Sequence, residues 1–171
     1  LEIEAFDGKK KIILNSTAPV LDKHGKVEAA IVVNLDITEL KRVEDEMLRL
    51  ATAIEQAGEM VLVTDAAGVI QYVNPAFERI TGYSREEALG RTPRILKSGE
   101  HDNAFYREMW QTLLDGKIWR SRLVNRRKDG TLFNEEATIS PVRDASGRIA
   151  NFVAVKRDIT AEIRILQEKR I

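Results

Sequence analysis

The sequence predicts an α+β fold: a five-stranded antiparallel sheet with short helices on one face. Three observations carry it. In residues 58–160 two β-rich segments come first, several short helical segments follow, and three long alternating segments close the region. Each helical segment has start and stop signals of its own. The closing pair of strands also has a copy earlier in the chain, at an offset of 122 residues.

That repeat sets the organisation. Asp7-Gly8 recurs as Asp129-Gly130, Pro19-Val20 as Pro141-Val142, and Asp22 and Gly25 as Asp144 and Gly147. Asp36-Ile37-Thr38 recurs as Asp158-Ile159-Thr160, and Arg42 and Glu46 as Arg164 and Glu168, without a gap. The second copy ends a much longer unit. Residues 1–38 are therefore expected to be the last strands of a truncated preceding domain, residues 39–57 a connecting helix, residues 58–160 a complete domain, and residues 161–171 the start of a further helix. Strands 9–20 and 26–35 should be loosely ordered or pair with another chain.

The elements follow in order. Leu40, Val43, Met47, Leu50 and Ile54, with Ala57 next, make a heptad stripe on the connecting helix. Asp36 or Thr38 caps its start, and Asp36 with Glu39 has capping-box spacing. The stripe suits a parallel two-stranded coil or a helix folded back onto its own domain. Met60–Asp65 and Val69–Asn74 are strands joined by a turn at Asp65–Gly68. Pro75 opens a short helix that Gly82 ends, and Ser84–Glu87 is the capping box of a second short helix ended by Gly90. A loop runs from Thr92-Pro93 to Ser98-Gly99. Asp102 caps a longer helix with an apolar stripe of Phe105, Met109, Trp110, Leu113 and Leu114, stopped at Gly116. Strands 118–127, 131–143 and 148–158 turn at Asp129-Gly130 and at Asp144–Gly147.

Composition narrows the function. The 171 residues carry 27 Lys+Arg against 27 Asp+Glu, a formal net charge of zero, which disfavours a dedicated nucleic-acid binder. There is no cysteine, so disulfides, thiolate metal sites and thiol nucleophiles are excluded. No apolar run approaches the roughly 20 residues that span a bilayer. Neither GxxxxGK[ST] nor GxGxxG occurs, and no nucleophile–base pair suggests hydrolysis, so the chain reads as a non-enzyme.

At Ile70–Phe77, Ile80–Arg91, Trp119, Leu123–Gly130 and Asp158–Thr160 the chain resembles a PAS domain. The resemblance covers residues 58–160, and the repeat extends it to residues 1–38 as the end of a preceding PAS domain. It implies a five-stranded sheet and a cytoplasmic sensory and dimerising module of a bacterial signalling protein, upstream of a histidine kinase, a diguanylate cyclase or another output domain. Trp119 and Leu123–Gly130 are most similar to the flavin-binding redox sensors among PAS domains, in regulators of nitrogen fixation and methane oxidation. FAD is the cofactor this implies, with a ligand-free interaction and dimerisation module as the alternative. In that alternative, Val153, Val155 and Ile149 on the outer sheet face serve as an interface.

Side-chain parity indicates the residues that meet a ligand. Trp119, Ser121, Leu123 and Asn125 share one strand face, which should point inward. An inward Asn125 needs partners, either the edge of a flat heterocycle or nearby backbone. On the next strand Glu135 falls among Phe133, Ala137 and Ile139. It can accept from a ring N–H or ribityl hydroxyl, or reach water at the strand end. At the family's positions for a second and a third amide this chain has Glu135 and Lys156, and Pro93 stands where light-sensing relatives have a cysteine, so no cysteinyl photoadduct can form. Arg94 and Lys97 can meet cofactor phosphates or remain a solvated basic loop. For haem only His24 and His101 exist as axial ligands, and His101 reads as an exposed loop residue. Asp158 and Thr160 would relay the signal into the departing helix.

Overall fold

A computed structural model describes residues 1–4 and 8–169. Asp7 of the repeat and the last two residues of the 161–171 segment lie outside the described residues. The chain divides into two units, Leu1–Thr52 and the residues from Ala53 onward.

The first unit is a three-stranded antiparallel meander of β1 (Glu2–Glu4), β2 (Lys10–Leu21) and β3 (Val27–Asp36), followed by most of helix α1 (Thr38–Gln56). β1 is an addition to the elements that the sequence predicts. β2 and β3 pair as a hairpin. Leu14, Ile31, Val32, Val33 and Leu35 are exposed on it. Asp36 accepts from the Thr38 backbone N–H at 3.0 Å and from its hydroxyl at 2.6 Å, and pairs with Lys11 at 3.0 Å. Those hydrogen bonds, Thr38 first, lower the Asp36 pKa from 3.8 to about 2. The folded value lies below the unfolded one. The cap's contribution is therefore present above the ordinary carboxylate range and is lost as pH falls through about 2.

The second unit holds a five-stranded sheet ordered β5-β4-β8-β7-β6, antiparallel throughout. Its strands are β4 (Met60–Asp65), β5 (Ile70–Val73), β6 (Trp119–Arg126), β7 (Leu132–Arg143) and β8 (Ile149–Asp158). Between β5 and β6 the chain crosses from one sheet edge to the other. It does so through α2 (Pro75–Thr81), α3 (Arg85–Ala88), a 3-10 turn (Pro93–Leu96) and α4 (Asn103–Leu114). The expected caps are present: Ser84 and Glu87 close a reciprocal capping box, Asp102 accepts from the Phe105 N–H at 2.9 Å, and Gly82 ends α2 at φ +77°. β8 leads into α5 (Thr160–Glu168).

The repeat is structural as well as sequential. Ile13 faces Asp36 in the first hairpin and Glu135 faces Asp158 in β7–β8, and the register stays equivalent along both. Both hairpins slip at the same step, Val20/Leu21 and Val142/Arg143. Thr38 accepts from the Ile12 N–H at 2.9 Å, and Thr160 from the Asn134 N–H at 2.9 Å.

Parity holds on the inner sheet face, where Trp119, Leu123, Asn125, Phe133, Glu135, Ala137, Phe152, Ala154 and Lys156 are buried. Two expectations fail. Ile149 does not join Val153 and Val155 on the outer face. It precedes the bulge on β8, which flips parity between it and the valines, and packs beside Trp119 and Phe152. Leu114 is exposed.

Asn74 stitches the unit's entry. Its amide oxygen accepts from the Val61 N–H at 2.9 Å and the Phe77 N–H at 3.2 Å, and its amide nitrogen donates to the Ile54 and Glu59 carbonyls. Asn74→Ala takes the side-chain partner from the Val61 N–H and the Glu59 carbonyl at a fully buried site, while the Phe77 N–H and the Ile54 carbonyl keep backbone partners. It should cost about 2–4 kcal/mol of stability by urea unfolding; a loss under about 0.5 kcal/mol contradicts this reading.

Candidate ligand cavity

The inner face of the sheet and α4 do not close on each other. They leave a cavity of about 1010 Å³, at the upper end of the range that holds small ligands. A packed core leaves few voids larger than a water molecule. The walls are apolar and aromatic. Trp110 meets Phe152 edge-on at 5.5 Å, and Trp119 meets Phe105 edge-on at 5.5 Å. Leu62, Leu123, Ile139 and Ala154 complete them. Gly68 also lines the hollow at φ +82°, and a Cβ there would come within 3.3 Å of the Trp110 ring.

One end of the hollow is polar. Asn125 on β6, Glu135 on β7 and Lys156 on β8 come together across three neighbouring strands. Asn125 Nδ2 donates to Glu135 Oε1 at 2.9 Å, and Lys156 Nζ donates to the same oxygen at 2.6 Å. Glu135 has no exposed surface, Asn125 has 4% and Lys156 5%. Asn125 and Lys156 line the cavity and Glu135 sits behind them. The expectation that Glu135 reaches water at the strand end does not hold. It does not reach water, because β7 continues past it into the sheet, and it meets its neighbours' side chains rather than lining the hollow. Asn125 likewise finds a carboxylate partner instead of backbone.

Two buried polar atoms at this end have no partner among the described residues, Glu135 Oε2 and the Tyr106 hydroxyl. Burial, then the Glu135 charge, pushes the Tyr106 phenol up. Tyr106 lines the cavity from α4. It is absent from the apolar stripe that the sequence predicts, although Tyr106, Trp110 and Leu113 share the i, i+4, i+7 spacing of one helix face.

Basic side chains gather elsewhere on the lining. Arg94 and Lys97 are there, with Arg107, and among the described residues no carboxylate joins them. Lys97 Nζ stands 4.5 Å from the centre of the Tyr106 ring, and the Lys97 backbone bridges to Asn125. His101 is not a free loop residue. Its Nε2 accepts from the Val124 N–H at 2.8 Å and its ring stacks on Phe105 at 4.2 Å, so it fastens the loop to the edge strand β6. Among the described residues no group of three or more His, Cys, Asp or Glu is placed to hold a metal ion.

Asp158 and Thr160 sit where β8 becomes α5. Asp158 Oδ1 accepts from the Thr160 N–H at 2.9 Å, and Arg127 pairs with Asp158 at 2.6 Å. Arg127 also donates to the Ile80 carbonyl at 2.8 Å and lies over the Phe133 ring at 4.6 Å. It therefore ties α2, the β6–β7 turn and the end of β8 together. The sequence shows Arg127 only as part of a family motif; its partners are distant along the chain.

A family model described as the PAS fold matches residues 48–159. The chain belongs to the PAS family. The PAS chain is 41% identical over 119 residues to a nitrogen fixation regulatory protein of Klebsiella oxytoca, covering 70% of this chain and 24% of that one. It is 36% identical over 138 residues to the hybrid signal transduction histidine kinase L of Dictyostelium discoideum, covering 80% of this chain and 8% of the kinase. Among solved structures it resembles one described as "Flavin Analogue Sheds Light on Light-Oxygen-Voltage Domain Mechanism". That match has a TM-score of 0.60 and 27% identity, and covers 71% of this chain and 94% of that one. The PAS chain thus spans about a quarter of the regulator and less than a tenth of the kinase. No helix among the described residues is long and apolar enough to cross a membrane.

The site fits a flavin on its own chemistry. It offers aromatic walls, a polar end where the Tyr106 hydroxyl lacks a partner among the described residues, and several cations on the lining with no acid beside them among the described residues. If one were bound, Asn125 and Lys156 would hold its ring edge, and Arg94 and Lys97 its phosphates.

Lys156→Met takes the cation from the fully buried Glu135, and should cost about 3–5 kcal/mol. Glu135→Leu with Lys156→Met should regain most of it. Urea unfolding of the three proteins checks this; a single-variant cost below about 1 kcal/mol contradicts the ion pair.

Proposed function

We propose that this chain is the sensory PAS module of a bacterial signal-transduction protein of the histidine kinase or diguanylate cyclase type. It works in the cytoplasm and binds FAD in the hollow. The observation that carries the reading is the cavity itself, which joins aromatic walls to a buried amide–ammonium end. Its likeness to a light-oxygen-voltage domain described with a flavin analogue, and to a nitrogen fixation regulator, supports it. The flavin supplies redox chemistry when bound. The chain's residues hold its ring edge at Asn125 and Lys156 and pass a change there along β8. Lys156 lies two residues before Asp158, which with Arg127 fixes the start of α5. A shift in hydrogen bonding at the ring edge thereby biases the helix leaving the domain, a two-state device. The ligand-free alternative needs a full core, and the cavity counts against it.

Freshly purified protein, or apoprotein titrated with FAD, should show flavin absorbance that co-migrates with the chain. Asn125→Ala should weaken FAD binding about tenfold, the worth of one hydrogen bond to a buried partner. Absence of flavin bands and of FAD binding would overturn the reading.

We also propose that residues 1–38 are the closing strands of a preceding PAS unit, and that the chain self-associates. Leu40, Val43, Met47 and Leu50 on α1 are all exposed, and so is Val155 on the outer sheet face. Multi-angle light scattering should find a dimer at working concentration, and Met47→Asp with Leu50→Asp a monomer. A wild-type monomer would refute the dimer.

A further inference from the structure

The polar end of the cavity presents two unlike groups side by side. Asn125 gives one amide N–H to Glu135, and its amide oxygen accepts no hydrogen bond among the described residues, so that oxygen is available to the hollow. Lys156 has given one N–H to Glu135, and its ammonium keeps two more. A neutral acceptor therefore stands next to a cationic donor. The matching ligand edge carries an N–H beside an oxygen or nitrogen acceptor, the pattern of a cyclic imide or lactam.

The cation adds a preference that two amides would not. Glu135 accepts from the ammonium and offsets the cost of burying its charge. The carboxylate stands behind the wall and the ammonium on it, so the potential at the ligand edge is positive. Inside a low-dielectric hollow such a field discriminates between ligand charge states more sharply than in water. The oxidised flavin ring is neutral. The two-electron-reduced ring loses a proton from its pyrimidine edge near neutral pH and becomes an anion.

We infer that Lys156, held by Glu135, makes the cavity selective for the reduced, anionic flavin over the oxidised, neutral one, so that Lys156 determines which redox state of the ligand the domain favours. This rests on the flavin reading above.

The test is anaerobic titration of apoprotein with FAD and with dithionite-reduced FAD. The wild type should bind the reduced form about tenfold more tightly or better, a ratio within the usual range of coupling between linked equilibria. Lys156→Arg keeps the charge and should keep the preference. Glu135→Gln with Lys156→Gln removes both charges without leaving a buried carboxylate unpaired. It should bind both forms with the preference cut to about threefold or less. Equal affinities in the wild type, or a preference that survives in the double glutamine variant, would overturn this inference and leave the flavin reading standing. So would equal weakening of both forms in that variant, which would mark a purely structural pair. Failure of the wild type to bind either form would overturn both.

Discussion

A carboxylate without any exposed surface, holding an ammonium and an amide on the wall of a hollow, is the interaction on which the rest of this structure depends. Burying that charge without partners would cost several kcal/mol, so the three side chains must arrive together. The antiparallel register of β6, β7 and β8 brings them there. Glu135 lies opposite Leu123 on one side and Asp158 on the other, and Lys156 lies opposite Ala137. A slip of one residue in any strand would turn one member outward and leave the others unpaired. The site and the fold are therefore enforced by the same register.

The same register links the hollow to the exit of the domain. Phe133 sits under the Arg127 guanidinium, and Arg127 pairs with Asp158 beside the first turn of α5. A rearrangement at the ammonium has only two residues of β8 to cross before it meets that clasp. The first hairpin carries the equivalent of the clasp's cap in Asp36 and Thr38, at the start of α1. Each strand pair thus hands its backbone to a helix through an aspartate that fixes the threonine two residues on, and one design serves both helix entries.

Much of this is legible in the sequence because its causes are local. The capping signals at Ser84 and Asp102 and the Gly82 stop depend on residues three or four apart, and they locate α2, α3 and α4. Alternation along β6 puts Asn125 inward beside Trp119 and Leu123 for the same reason. What parity cannot show is who meets whom across strands. Glu135 reads as a carboxylate reaching for water or a ligand because its true partners lie 10 and 21 residues away. His101 reads as a loop residue because its acceptor role needs the Val124 N–H at the open edge of β6. Parity puts Ile149 on the wrong face because a bulge is invisible to a period-two rule. Tyr106 is the different case: its helical spacing is readable, and its hydroxyl disguises it as a residue for the solvent side.

The most direct measurement is a crystal structure of the chain grown with FAD. The ring should lie between the indoles of Trp110 and Trp119, its polar edge within hydrogen-bond distance of Lys156 Nζ and Asn125 Oδ1, with Glu135 still behind them. A ring seated elsewhere, or a cavity holding only water while Lys156 points away from it, would rule out ligand recognition by the amide–ammonium end.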